Sequence, residues 1–145
     1  MALKLFCPTR INFKEEFTTM NIEEFREYCL SFKGAHDKMP FNKATSDYDK
    51  NILTFSVMDK WFCFVNIEEF DFCDLKCDPI ESKRLQDEYE GITPGYHMNK
   101  DHWISVHFKK DVPKSKIESL VQDSYDLVVA GLTRKQQKEL DESSK

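Results

Sequence analysis

Between His97 and Lys116 five lysines (Lys100, Lys109, Lys110, Lys114, Lys116) stand against two acids, and His97, His102 and His107 lie among them. Over His102–Phe108 the alternation predicts a strand on which Trp103, Ser105 and His107 face one way and Ile104, Val106 and Phe108 the other. An indole stacked on a base, with Lys100, Lys109 and Lys110 gripping phosphates, is the chemistry such a strand could perform. Arg134 and Lys135, opening a last helix, would add phosphate contacts beside its positive end. The candidate nucleic-acid-binding set is therefore Lys100, His102, Trp103, His107, Lys109, Lys110, Arg134 and Lys135. The competing reading makes the lysines ordinary solvated charges and packs Trp103 beneath the C-terminal helix, since five lysines in twenty residues hardly exceeds average usage.

Metal binding fails on spacing. Cys73 and Cys77 on one strand would lie about 13 Å apart, whereas zinc needs each thiolate about 2.3 Å away. His102 and His107 differ by an odd number and face opposite ways, and His97 reaches His102 only through an irregular loop. Cys63, Cys73 and Cys77 read better as small buried hydrophobes. Any of the five thiols could meet one of the four imidazoles in space and form a nucleophile pair. Yet no signature surrounds a cysteine, and four glycines leave neither G-x-S-x-G nor a phosphate-cradling loop. Ser124-Tyr125 could be a hydroxyl pair for chemistry; on a helix stripe, Ser124 instead allows close helix–sheet approach and Tyr125 caps the core edge. The expectation is a non-enzymatic protein without catalytic residues, metal or cofactor.

The elements that must position these residues follow from caps and periods. Asn21-Ile-Glu-Glu24 is a capping box, and Ile22, Phe25, Cys29 and Phe32 make one helix stripe that Gly34 would end as its C′ residue. Leu53–Val57 alternates as a half-buried strand. A tight turn at Met58–Trp61 leads into a second, with Trp61, Cys63, Val65 and Ile67 on one face and Phe62, Phe64 and Asn66 on the other. Being apolar on both faces, that strand belongs in the middle of a sheet. His36–Lys43, around an edge-favouring Pro40, and Ala44–Tyr48 are weaker strands; Phe72–Cys77 is another. Asp78 caps a second helix with Pro79 at its first position and Gly91 closing it. Thr93-Pro94-Gly95 reads as a type II turn. Pro113 opens a third helix with Ile117, Leu120, Val121, Ser124 and Val128 on its stripe, ending at Gly131, and Thr133–Gln136 is a capping box for a last, charged helix. The order predicts a two-layer α+β fold, an antiparallel sheet with helices packed on one face.

The 145 residues suit one domain over Met20–Lys145, with Met1–Thr19 as an accessory N-terminal extension whose Phe6, Phe13 and Phe17 could dock on the body or on a second copy. That opening carries no secretory pattern, and an odd, irregular set of cysteines fits reduced thiols in the cytoplasm. No apolar run approaches the roughly 20 residues that span a bilayer, so no membrane is expected. Twenty-one bases against twenty-six acids give a net charge of −5, so any nucleic-acid contact needs a local patch. Nine acids against three bases make Val65–Gly91 markedly acidic.

Four segments together resemble a known family: Lys60-Trp61-Phe62, Cys77-Asp78-Pro79, Pro94-Gly95-Tyr96 through Lys100-Asp101-His102-Trp103, and Asp123-Ser124-Tyr125-Asp126-Leu127-Val128. From about Met20 to Leu140 the chain resembles the MmcQ/YjbR family of small bacterial proteins. The resemblance implies a two-layer, secretion-chaperone-like α+β fold, a largely unassigned function, and DNA binding by a double wing of hairpins as the usual proposal. The expected partner is DNA, through the Lys100–Lys110 surface, with the protein a monomer or weak homodimer. The alternative is a protein-interaction or chaperone-like module without nucleic acid, which the acidic half and the aromatic excess would serve equally well.

Overall fold

The structure, a computed structural model, describes residues 21–96 and 98–143. The expectation for the extension Met1–Thr19, and any part for His97, fall outside these residues. At the start of α1 (Ile22–Leu30) the Asn21 side chain accepts the Glu24 N–H at 2.9 Å, and Glu23 and Glu24 place negative charge at the helix's positive end. The helix is capped at Ser31, earlier than expected. Gly34 instead makes the left-handed turn into the first strand at φ 74°, where a Cβ would meet Leu140.

Six strands follow: β1 (Ala35–Lys38), β2 (Ile52–Val57), β3 (Lys60–Asn66), β4 (Phe72–Lys76), β5 (Ile92–Pro94) and β6 (Trp103–His107). They form one sheet in the order β1-β2-β3-β4-β6-β5, and each neighbouring pair is antiparallel. The helices α3 (Pro79–Glu88), α4 (Lys114–Ala130) and α5 (Arg134–Glu142) join α1 on one face, where Phe25, Leu85, Leu120, Val121 and Leu140 share a core with Phe55, Val65, Leu75 and Val106. This is the expected two-layer α+β architecture. Asp78 accepts the Ile80 and Glu81 N–H groups, and the Thr133–Gln136 capping box is complete in both directions.

The layers are joined at Ser124. Its hydroxyl donates to the Phe62 carbonyl of β3 and accepts the Lys76 N–H of β4 at 2.8 Å, so one small side chain pins α4 across two strands. Tyr125 donates to the Lys33 carbonyl at 2.6 Å and stacks on Phe32. Both side chains have the structural roles that their place on the stripe implies.

Three local expectations are corrected. Ala44–Tyr48 is not a strand: the Ser46 hydroxyl accepts the Asp49 N–H and starts a one-turn helix, α2 (Asp47–Lys50), because short polar side chains bond the backbone locally. Ile92–Pro94 is the edge strand β5, where a proline costs no inner ladder bond. Gly95 does not adopt the positive φ of a type II turn. Its glycine is needed for close approach, since a Cβ would lie 2.6 Å from the Trp103 Cβ and 2.9 Å from the Trp103 carbonyl carbon. Finally, β3 does not alternate evenly. Phe55 pairs with Cys63 but Ser56 with Trp61, so Phe62 is an extra, bulged residue. It turns inward with Cys63 and Val65, leaving Trp61 and Phe64 together on the face away from the main helix layer.

Candidate functional site: the far face of the sheet

Trp103 and Ile104 do point to opposite faces, as the alternation requires. The far face, however, has a covering of its own. Trp103 is 7% exposed, packed with Ile52 and Phe64 and flanked by Tyr48, Trp61 and Met98, so its indole offers no open face to a base. What seals it is this second cluster, not the C-terminal helix. His107 is half-buried, its Nε2 3.3 Å from the Thr93 hydroxyl and its ring 5.2 Å from that of Phe72. Burial, then the charge of Lys110, lowers its imidazole below the usual value against an opposing pull from Asp71. Lys100 donates to the Gly95 carbonyl at 3.1 Å, and exposed His102 lends its own carbonyl to the Cys77 N–H. Lys109 and Lys110 are exposed past the other end of β6, and Arg134 and Lys135 are exposed where α5 begins, in the helix layer. The eight candidates thus do not converge. A five-residue strand holds the two lysine groups about 17 Å apart, and the fold of α5 onto the core carries Arg134 and Lys135 to the other side of the sheet.

At the centre of the far face lies a pair that the sequence did not single out. Asp74 of β4 stands opposite Ser105 of β6. Asp74 is fully buried: the Ser105 hydroxyl donates to its Oδ1 at 2.5 Å, and Oδ2 has no partner among the described residues. The Ser105 oxygen also accepts the Tyr96 N–H at 3.0 Å. Burial pushes the Asp74 carboxyl up to about 7, although the Ser105 bond, the Tyr96 N–H and the Lys100 charge pull it down. Nearby, burial and then Glu69 push the Tyr48 phenol up to about 12. Only strand register brings Asp74 and Ser105 together, at a separation of 31 residues.

Beside this pair opens a pocket of about 240 Å³ lined by Phe41, Asp49, Ile52, Trp61, Phe64 and Met98. The β3 bulge aims Trp61 into it. The Phe41 and Trp61 ring centres are 6.2 Å apart at 82°, and those of Trp61 and Phe64 are 6.0 Å apart at 68°. The segment bearing Asp49 is anchored where Asn66 Nδ2 donates to the Tyr48 carbonyl at 3.0 Å and the Ile67 N–H to the Asn51 carbonyl at 2.9 Å. Phe41 is 41% exposed at the mouth. Period counting could not find this site, because even alternation assigns Trp61 and Phe64 to opposite faces. The signal it lacked was the bulge.

The four thiols among the described residues are buried, which disfavours their acting as nucleophiles. Cys29, Cys63 and Cys73 are fully buried, and burial raises the Cys63 and Cys73 thiols. Burial, then Glu81 and Asp78, pushes the Cys77 thiol up to about 11. Their reading as small hydrophobes stands. Among the described residues no cluster of His, Cys, Asp and Glu is arranged to hold a metal ion, and no helix is long and apolar enough to cross a membrane.

Known proteins resemble the chain along most of its length. The YjbR family model matches residues 30–127. The uncharacterized protein YbdF of Escherichia coli O157:H7 is 35% identical over 102 residues, 70% of this chain and 84% of that protein. The uncharacterized protein YjbR of Escherichia coli strain K12 is 29% identical over 120 residues, 82% of this chain and 96% of its own. A crystal structure of a Deinococcus radiodurans protein with a DUF419 domain superposes with a TM-score of 0.72 at 28% identity, covering 83% of this chain and 88% of that one. A crystal structure of a Pseudomonas syringae protein gives a TM-score of 0.60 at 28% identity, over 74% and 98% of the two chains. With the six-stranded antiparallel sheet, the Ser124 bridge and the Gly95–Trp103 contact in place, these matches make the chain a member of the YjbR family.

Proposed function

We propose that this protein is a non-enzymatic interaction module that binds a partner protein through the far face of its sheet. The observation that carries this reading is the aromatic pocket, open at Phe41 and walled by Trp61 and Phe64, on a face that the main helix layer leaves free. Buried aromatic anchors beside an open apolar cavity are the usual core of a protein contact. A net charge of −5 and the raised thiol pKa values fit binding better than phosphate recognition or nucleophilic chemistry. Selection of a displayed random peptide library on the full chain tests it. Enriched peptides should lose binding to Trp61→Glu and keep it to Lys83→Glu, which alters an exposed position on α3. Peptides that ignore Trp61→Glu, or an empty selection, would overturn the proposal.

A second reading, DNA binding, keeps one favouring observation: Lys109 and Lys110 are adjacent and exposed in the turn between β6 and α4. It requires binding to a short labelled duplex that weakens steeply with salt and disappears in the double variant Lys109→Glu/Lys110→Glu. No binding at low salt ends that reading.

A further inference from the structure

We infer that the pocket between Phe41, Trp61 and Phe64 holds a quaternary ammonium group carried on a partner's side chain, with the chemistry of trimethylated lysine. The inference rests on the docking role proposed for the far face and names what that face recognises. Three successive rings set at 82° and 68° present π surface from different directions around one small space. A cation there meets the negative faces of aromatic rings, an attraction that grows when water is excluded. Among the described residues Asp49 is the one charged residue in the lining, and its carboxylate makes no ion pair with any of them. It therefore supplies the countercharge that a bound cation needs and repels an anion such as phosphate.

The lining also selects among cations. A guanidinium brings five N–H donors and an unmethylated ammonium three, each needing an acceptor. Apart from the Asp49 carboxylate, the side chains around the pocket are rings, the Ile52 alkyl group and the Met98 thioether, a weak acceptor at best. A quaternary ammonium has no N–H to satisfy, so it fills the space without orphaned donors. The pocket's size points the same way: about 240 Å³ is below the roughly 300–1,000 Å³ typical of sites for whole small ligands, and suits a head group on a chain.

The test titrates the full chain with N-acetyl-trimethyllysine amide, with its uncharged isostere in which carbon replaces the quaternary nitrogen, and with choline. Calorimetry and the Trp61 indole NMR signal are the readouts. The trimethyllysine probe should bind about tenfold more tightly than the isostere, the ratio expected of a cation–π contact. Asp49→Asn and Phe41→Ala should each weaken it several-fold, while Lys83→Glu leaves it unchanged. Asp49→Asn guards against a folding artefact in the aromatic variant. Equal binding of probe and isostere would overturn the inference and leave an apolar docking slot, so the peptide selection could still succeed. Choline binding more tightly than the trimethyllysine probe would overturn the side-chain source. Silence of the Trp61 signal with all three would overturn the inference outright, and an empty peptide selection, or enriched peptides that ignore Trp61→Glu, would also remove the docking role beneath it.

Discussion

Asp74 holds a carboxyl group out of water with one oxygen bonded to Ser105 and the other unpartnered among the described residues. Its raised value near 7 means that the folded protein binds the proton more tightly than the unfolded chain. Stability is then greatest below the unfolded value near 4, falls as pH rises through 7, and is level beyond. Asp74→Asn removes the ionisation, so it should stabilise the protein at pH 8 by about 4 kcal/mol and do little at pH 4, read from urea midpoints at both values. An equal effect at the two pH values would show that Asp74 is not the titrating group. Ser124 is the other residue whose loss should be felt. Ser124→Ala leaves the Lys76 N–H and the Phe62 carbonyl buried and unpaired, a destabilisation of about 2 kcal/mol in the same assay.

The hairpin between β2 and β3 turns on Met58 and Asp59 at φ 51° and 65°, a two-residue loop with both residues left-handed. Such loops match the twist of the flanking strands but favour asparagine and glycine. Asp59 is exposed and its side chain has no ion pair among the described residues, so Asp59→Gly should raise the thermal midpoint by about 2–4 °C, a gain of about 0.5–1 kcal/mol. A fall would mean that the entropy of the unfolded glycine outweighs the relieved strain. The turn was legible as a break in alternation before Lys60, and so was every long helix, because caps such as Asn21, Asp78 and Thr133 are local signals. The short elements were harder. Helix α2 depends on one serine cap, and β5 forms only because β6 offers it a ladder.

For the whole molecule, the division of the sheet into a helix-covered face and a second, smaller aromatic cluster decides what is accessible. Trp103 lies inside that cluster, while Trp61 lines the open pocket. Acrylamide should therefore quench the fluorescence of the Trp103→Phe variant, which keeps Trp61, several-fold more than that of Trp61→Phe, which keeps Trp103. Comparable quenching would place the Trp103 indole in reach of solvent and restore the stacking platform that its position on β6 first suggested.

The chain by itself determined the α+β class, the antiparallel sheet, the four long helices and the family, because periodicity, capping and the Pro94–Trp103 and Ser124–Val128 segments are written within a few neighbouring residues. It also made Trp103 and its lysines look like one surface, since strand parity gives the direction of a side chain but not what lies above it. The tertiary structure alone decided that α2 and the segment carrying Met98 cover that indole, that the Phe62 bulge brings Trp61 beside Phe64, and that Asp74 meets Ser105. Each of these depends on register and packing between residues far apart in sequence, where a shift of one position moves a side chain to the opposite face.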